Sequence, residues 1–415
     1  MSSSRTRPFA ILLLLGAVAG LLFASVSTFD FAQHLDRQVH GLHCSFIPGI
    51  IAPDASGTSG CHITLMSPYS SVLRSRLWGG IPVSLPGMGI FAFLVWRALS
   101  WLVAGRDDDR AGAQVLVLGS AVPVAATLVM GGLALMVLDA FCKVCAGIYI
   151  SSFVSAVGAF GVFLRLAPPG EEEQEQLDED GLPLPALAPR TSFLPMVLAL
   201  GAYCLVPAVA WAALAPDQGR YVGTCGSLGV SDDPHTVLVP LDGHAGATAA
   251  VEILDPLCPS CKGFETRLAA SGLGPRLDRK VLLFPLDATC NWMVGTTMHA
   301  GACTVSEAIL CAGDQGPAVI DWAFAHQDEI RTASEADPEA AARMATAAFP
   351  AVRDCIGKPA VRTRLNQGLR WAVKNELPVM TPQLYVDGTR MCDADTDLGL
   401  DFALGRMLDR KGGAR

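Results

Sequence analysis

The sequence predicts a multi-domain chain: an all-α transmembrane helix bundle, four helices plus one linking span, followed by an α/β domain. Three observations carry this. The 415 residues are 51% hydrophobic and only 17% charged, and a mean hydropathy of +0.40 is too high for an ordinary soluble enzyme. The apolar residues gather in five runs of about the roughly 20 residues needed to cross a bilayer. From about residue 220 the composition becomes that of a soluble α/β domain. The net charge of −9 gives no support for nucleic-acid binding, and the thirteen cysteines, with membrane spans around them, point to an oxidising compartment. The odd count leaves at least one cysteine without an intramolecular partner.

The first run, Phe9 to about Val26, follows Arg5 and Arg7. No clear small-x-small cleavage site follows it, so it is expected to be a retained first span rather than a cleaved signal. A polar loop over 30–78 then holds Cys44, Cys61, His40, His43 and His62. The second span covers about Gly80 to Ala104 and opens on Gly79-Gly80-Ile81-Pro82. A hydrophilic turn from Arg106 to Arg110 leads into the third span, about Ala113 to Leu138. Asp139 closes a short turn before Cys142-Lys143-Val144-Cys145, and the fourth span ends at Arg165. Residues 1–166 thus form the bundle. Residues 167–190 are a proline-flanked acidic linker, expected to be a solvated tether on the cytoplasmic side. The fifth span lies in 191–215, with Cys204 read as a core residue and Pro207 expected to kink it.

Five spans put 30–78, the 139–142 turn and everything after 216 on one side. Arg5, Arg7, Arg106, Arg110, Arg165 and Arg190 flank spans on the other, which the positive-inside bias makes cytoplasmic, although Arg37, Arg74 and Arg76 lie in the outer loop. The expected location is a multi-pass inner-membrane protein with its last domain in the periplasm, so that all the thiol pairs share one compartment.

In the last domain, 220–415, Thr248–Leu254 reads as a buried strand, Lys262–Ala270 as a helix and Val281–Pro285 as a second strand. Residues 298–375 read as mostly helical. Met380-Thr381-Pro382 leads into a strand at Gln383–Val386, Asp387-Gly388 is a hairpin turn signal, and a helix near 396–410 ends the chain.

A cysteine pair spaced Cys-x-x-Cys can close and reopen as a disulfide, which is two-electron chemistry. Cys258-Pro259-Ser260-Cys261 follows a strand and opens a helix, where free N–H groups and the dipole favour a Cys258 thiolate. Cys261, one turn in, is the expected resolving thiol. The rival reading is a structural zinc pair, but zinc needs four ligands and no second close Cys/His pair is obvious nearby. Cys142 and Cys145 sit at the outer mouth of an apolar run, which suggests an electron partner in the membrane, and Lys143 between them can lower a thiol pKa. Cys44 and Cys61 read either as a shuttle or as a structural loop disulfide. Cys225, Cys290, Cys303, Cys311, Cys355 and Cys392 are expected in structural disulfides. Cys303 and Cys311 lie about 12 Å apart along a continuous helix, too far to bridge each other.

Strand, Cys-Pro-Ser-Cys, helix and a distant Thr381-Pro382 before a strand resemble the thioredoxin fold, with Pro382 as the cis-proline beside the motif. The helical stretch between the strands is similar to the DsbA-type insertion. Cys61 with Ser67, Gly80-Ile81-Pro82 and Cys142-x-x-Cys145 in a four-helix unit resemble the vitamin K epoxide reductase family. Some bacterial members join such a bundle, through one extra span, to a thioredoxin-like domain, so the resemblance covers nearly the whole chain. It implies a quinone, ubiquinone or menaquinone, held among the helix tops and reduced by Cys142/Cys145, with Ser67 (Ser70 is the second choice) as the nearby hydroxyl. Cys145, deeper in the apolar run than Cys142, is expected to face the quinone. The resemblance also implies membrane lipid and reduced secreted or periplasmic proteins as partners. The segment between Cys44 and Cys61 is longer than in the family, which leaves open which loop cysteine meets which partner.

The expected activity is therefore oxidation of protein thiols, with electrons passing from Cys258/Cys261 to Cys44/Cys61, to Cys142/Cys145 and to quinone. A membrane-anchored thiol reductase or isomerase is the first rival; no cytosol-facing thiol is evident to supply its electrons. A non-enzymatic binding module with structural cysteines is the second.

Overall fold

In the computed structural model, α1 (Arg7–Gln33), α3 (Ser84–Ala104), α4 (Arg110–Met136), α5 (Lys143–Leu164) and α6 (Phe193–Leu214) are the five helices, among the described residues, long and apolar enough to cross a membrane. The structure describes residues 5–38, 40–50, 60–104, 109–166, 191–244 and 246–412; the expected linker 167–190 lies outside them. The chain divides into two compact units, 1–73 with 80–216, and 74–79 with 217–415.

In the first unit, α1 packs along α5 and α3. Close approach is helped by glycines at several points where α1 meets α5. A Cβ on Gly158 would come within 2.4 Å of the Leu13 backbone, and one on Gly16 within 2.8 Å of Ser155. Small residues at such crossings are how helices gain contact in lipid, where no hydrophobic drive pulls them together. Phe91, Phe93, Leu94 and Leu116 fill the centre of the bundle. α6, long and apolar enough to cross a membrane, has Leu200 as its one buried residue among those described, and the helix continues through Pro207.

The spans shift from their expected bounds for local reasons. α1 runs past Val26 to Gln33, ending in the buried Asp30 and Phe31. The second span starts at Ser84, not Gly80, because β2 (Ile81–Pro82) pairs antiparallel with β1 (Ser71–Val72). A short helix that the sequence did not announce, α2 (Gly60–Leu65), carries Cys61.

The second unit is built on a five-stranded mixed sheet. β3 (Val239–Asp242), β4 (Thr248–Leu254), β5 (Leu277–Leu283), β6 (Gln383–Val386) and β7 (Thr389–Arg390) lie in the order β3-β5-β4-β6-β7. Only β4 and β5 pair in parallel, joined by α7 (Pro259–Ser271). Between β5 and β6 the chain inserts α8 (Ala302–Ala312), α9 (Gly316–Ala325), α10 (Gln327–Ala336), α11 (Ala340–Ala348) and α12 (Pro359–Lys374). α13 (Leu400–Gly412) closes the fold. This is the thioredoxin arrangement with a helical insertion.

β4 and β6 fall on their expected bounds. Asp387 and Gly388 both take positive φ, 50° and 74°, as the two-residue hairpin between β6 and β7 requires. The second expected strand, 281–285, begins four residues earlier. Its charged start, Asp278-Arg279-Lys280, hides a strand whose Arg279 is buried. α7 starts at Pro259 rather than Lys262, since proline is well tolerated in the first turn. The six remaining cysteines pair as Cys225–Cys392, Cys290–Cys303 and Cys311–Cys355, so Cys303 and Cys311 each find a partner off their own helix.

Candidate functional site

The first unit gathers four of its cysteines in one small apolar cluster with Leu42 and Val144. Cys142 is not in α5 but caps it. Its backbone is extended (φ −97°, ψ 117°) and its sulfur accepts from the Cys145 N–H at 3.2 Å. α4 ends at Met136, and a left-handed residue beyond it, Asp139 (φ 45°), redirects the chain toward α5. Cys142–Cys145 and Cys44–Cys61 are both disulfides, with Cα–Cα separations of 5.2 and 5.8 Å. Thr64 on α2 brings its hydroxyl to 3.9 Å from the Cys145 sulfur.

Beside this cluster lies a cavity of about 390 Å³ between the helix ends nearest these cysteines. Cys61, Cys142 and Cys145 border it, as do Ser67 and Tyr149. Its size is that of a small-molecule site, largely apolar with a few polar groups. Ser67 is 4% exposed, and its hydroxyl donates to the Thr64 carbonyl at 2.8 Å. Thr127 of α4 also borders the cavity, and its Oγ1 is buried with no hydrogen-bond partner among the described residues. A buried hydroxyl left unpaired is costly, and a carbonyl-bearing flat ligand is the kind of group that satisfies it. The residues present therefore fit a quinone.

At the rim, His43 Nδ1 donates to Asp30 Oδ1 at 2.5 Å and the His43 backbone N–H donates to Oδ2 at 3.0 Å. The end of α1 thereby holds the residue next to Cys44. Sequence reading noted His43 but missed this pairing and Thr127. The one available signal was an acidic residue at the end of an apolar run.

In the second unit, Cys258 is the N-cap of α7 and is 5% exposed; Cys261 is fully buried, and both are free thiols. The Thr381–Pro382 peptide is cis, as expected, and the Thr381 carbonyl lies 3.8 Å from the Cys258 sulfur. Gln327 of the helical insertion donates to the Pro256 and Cys258 carbonyls at 3.2 and 3.0 Å, fixing the turn ahead of the motif.

The two thiols are pushed apart in acidity. The hydrogen bond from Cys261 lowers Cys258 to about 6, against the effect of burial, with help from Thr381. Burial, then the hydrogen bond to Cys258, drives Cys261 well above the ordinary thiol range. The pair therefore has one anion ready to attack or leave and one proton held in reserve. Among the described residues no group of three or more His, Cys, Asp or Glu is arranged to hold a metal.

Residues 11–160 match the model of the vitamin K epoxide reductase family. No curated protein matches the chain. Among solved structures, the chain is similar to the oxidoreductase DsbA from Xylella fastidiosa at 21% identity, covering 42% of this chain and 92% of that one, with a TM-score of 0.29. It is similar to NmDsbA1 from Neisseria meningitidis at 15% identity, covering 43% and 93%, with a TM-score of 0.30. Proteus mirabilis ScsC is 17% identical over 52% of this chain and 90% of that one, also with a TM-score of 0.30.

Proposed function

We propose that this chain, a thiol–disulfide oxidoreductase with a vitamin K epoxide reductase-like bundle joined to a thioredoxin-like domain, makes protein disulfides and delivers the electrons to a membrane quinone, ubiquinone or menaquinone. Its substrates are reduced secreted or periplasmic proteins, and it works in the inner membrane with the thioredoxin-like domain in the periplasm. The observation that carries the reading is that Cys61, Cys142 and Cys145 border one apolar cavity with an unpaired hydroxyl, Thr127.

The low pKa of Cys258 supports the direction. A stabilised thiolate favours the reduced pair, which makes the Cys258–Cys261 disulfide a good oxidant. A substrate thiolate attacks that disulfide, a second substrate thiol displaces it, and the substrate leaves oxidised. The Cys258 thiolate then attacks the Cys44–Cys61 disulfide, and Cys261 resolves the mixed disulfide. A freed loop thiol does the same to Cys142–Cys145, leaving that pair as a dithiol at the cavity wall. Thr127 and Ser67 would hold the quinone, which supplies an acceptor for two electrons and two protons. Cys145 is assigned as the thiol facing it, and Cys142 as the one exchanging with the loop.

Trapping tests the join between the halves. Replacing Cys261 by Ser removes the resolving thiol, so a Cys258 link to Cys44 or Cys61 accumulates within one chain, visible as crosslinked peptides in non-reducing mapping. Cys258 found only as a free thiol, or bound to Cys290 or Cys392, would show that the thioredoxin-like domain does not feed the bundle.

A further inference from the structure

The motif between the two redox thiols, Pro259-Ser260, carries no charge. Nothing within it balances a Cys258 anion. Directly behind it lies a buried carboxylate. Asp255 is fully buried at the end of β4, and its backbone carbonyl accepts the Cys258 N–H at 3.1 Å. Its Oδ1 accepts from the Leu257 N–H and its Oδ2 from the Leu286 N–H, each at 2.7 Å. Left alone, this negative charge opposes a thiolate at Cys258.

It is not alone. His299, from the loop between β5 and α8, donates its Nδ1–H to Asp255 Oδ2 at 2.7 Å. The backbone that carries the ring is fixed as well: the His299 N–H donates to the Leu286 carbonyl at 3.2 Å, and its own carbonyl accepts from Ala302 at 3.1 Å. His299 is 7% exposed. With Nδ1 committed to the carboxylate, Nε2 is the position that gains or loses a proton.

We propose that His299 is a positioning residue for the Cys258–Cys261 couple: it carries a proton while Cys258 is a thiolate and releases it as the disulfide forms. The charged groups acting on it are Asp255, the residue after β4, Cys258 at the start of α7 and Arg331 of α10; Asp287, in the same loop, accepts instead from the Gly301 N–H. Burial pulls its pKa down, but the hydrogen bond and charge of Asp255, and then the Cys258 charge, outweigh burial and Arg331, and the balance is upward. One of those upward contributions exists only in the reduced state. Coulombic coupling is reciprocal, so a proton on His299 stabilises the thiolate as much as the thiolate stabilises the proton. The inference rests on the reading that this pair cycles. On oxidation the thiolate and the Cys261 thiol give up two electrons to the loop disulfide and form one S–S bond. Cys261 releases its proton, and His299 releases a second to solvent.

Two measurements on the full chain in detergent test this. The first is the imidazole titration of His299, followed by NMR on protein with labelled histidine and assigned by the His299→Gln variant. The midpoint is expected to be lower with Cys258–Cys261 oxidised than reduced, and Asp255→Asn is expected to lower it in both states. The second is the pH profile of Cys258 alkylation, whose wild-type midpoint is expected at about 6. His299→Gln is expected to raise that midpoint by about one unit, the smaller end of the range for losing a nearby opposite charge. A merely structural role leaves the redox dependence of the midpoint at zero. Equal His299 midpoints in the two redox states overturn the proposal and leave the relay standing. A pair that no dithiol or disulfide buffer can cycle overturns both.

Discussion

Arg279 shows how a single buried charge holds the second unit's sheet together. It bonds Asp242 at 2.7 Å, Glu265 at 2.5 Å and the fully buried Glu252 at 3.2 Å. Burial, and then the charge of Glu265, push Glu252 well above the usual carboxylate range even with Arg279 present. Arg279→Met is expected to cost roughly 3–5 kcal/mol, the penalty for stranding one partner of a buried pair; guanidinium unfolding of the full chain would read it, and a loss under about 1 kcal/mol would contradict it. Cys258 gives a pH dependence. Its pKa of about 6 lies below its unfolded value near 9, so its contribution to the stability of the reduced form is fully present above about 9, declines as pH falls, and is gone below about 6. Reduced-minus-oxidised stability, measured by denaturant titration, is expected to fall from pH 8 to pH 5. In the bundle, Cys145→Ser is expected to abolish quinone reduction while the remaining thiols still take electrons from Cys258/Cys261. Normal turnover by that variant would reject Cys145 as the terminal thiol.

Among the elements, α1 and α5 depend on glycines that no apolar-run reading could rank. Gly158→Leu forces a side chain into the Leu13 backbone, and a loss of about 1–3 kcal/mol is expected from overpacking, seen as a lower thermal midpoint in detergent. On α4, Thr127→Val keeps the shape and removes the free hydroxyl; quinone affinity is expected to fall several-fold, as for one lost hydrogen bond of about 1 kcal/mol. Much of the element order was legible. β4 and β6 are apolar runs closed by Asp-Pro and Asp-Gly, and the cis-proline announced itself by its place before β6. α2 was not legible, because six residues of mixed character carry no helical period. Neither were the pairings of Asp30 with His43 and Asp255 with His299, which join residues 13 and 44 positions apart and exist only once the fold brings them together. Thr127 looked like any small residue in a span. Only the cavity beside it gives its hydroxyl a meaning.

For the chain as a whole, the relay requires that every exchanging thiol share one compartment. A cysteine added within 171–180 is expected to resist a membrane-impermeant label in intact cells, and efficient labelling there would reverse the proposed orientation. In the proposed relay, thiol oxidation by Cys258/Cys261 and quinone reduction by Cys142/Cys145 fall in different units, so their coupling is tested on the whole chain. The decisive measurement is anaerobic reduction of added quinone by the purified protein supplied with a reduced dithiol substrate, compared with the Cys258→Ser and Cys145→Ser variants. One quinone reduced per substrate disulfide formed, and neither variant sustaining that flow, is the expected result. Substrate oxidation with no quinone reduced, or quinone reduction that persists at the wild-type rate without Cys258, would contradict the relay.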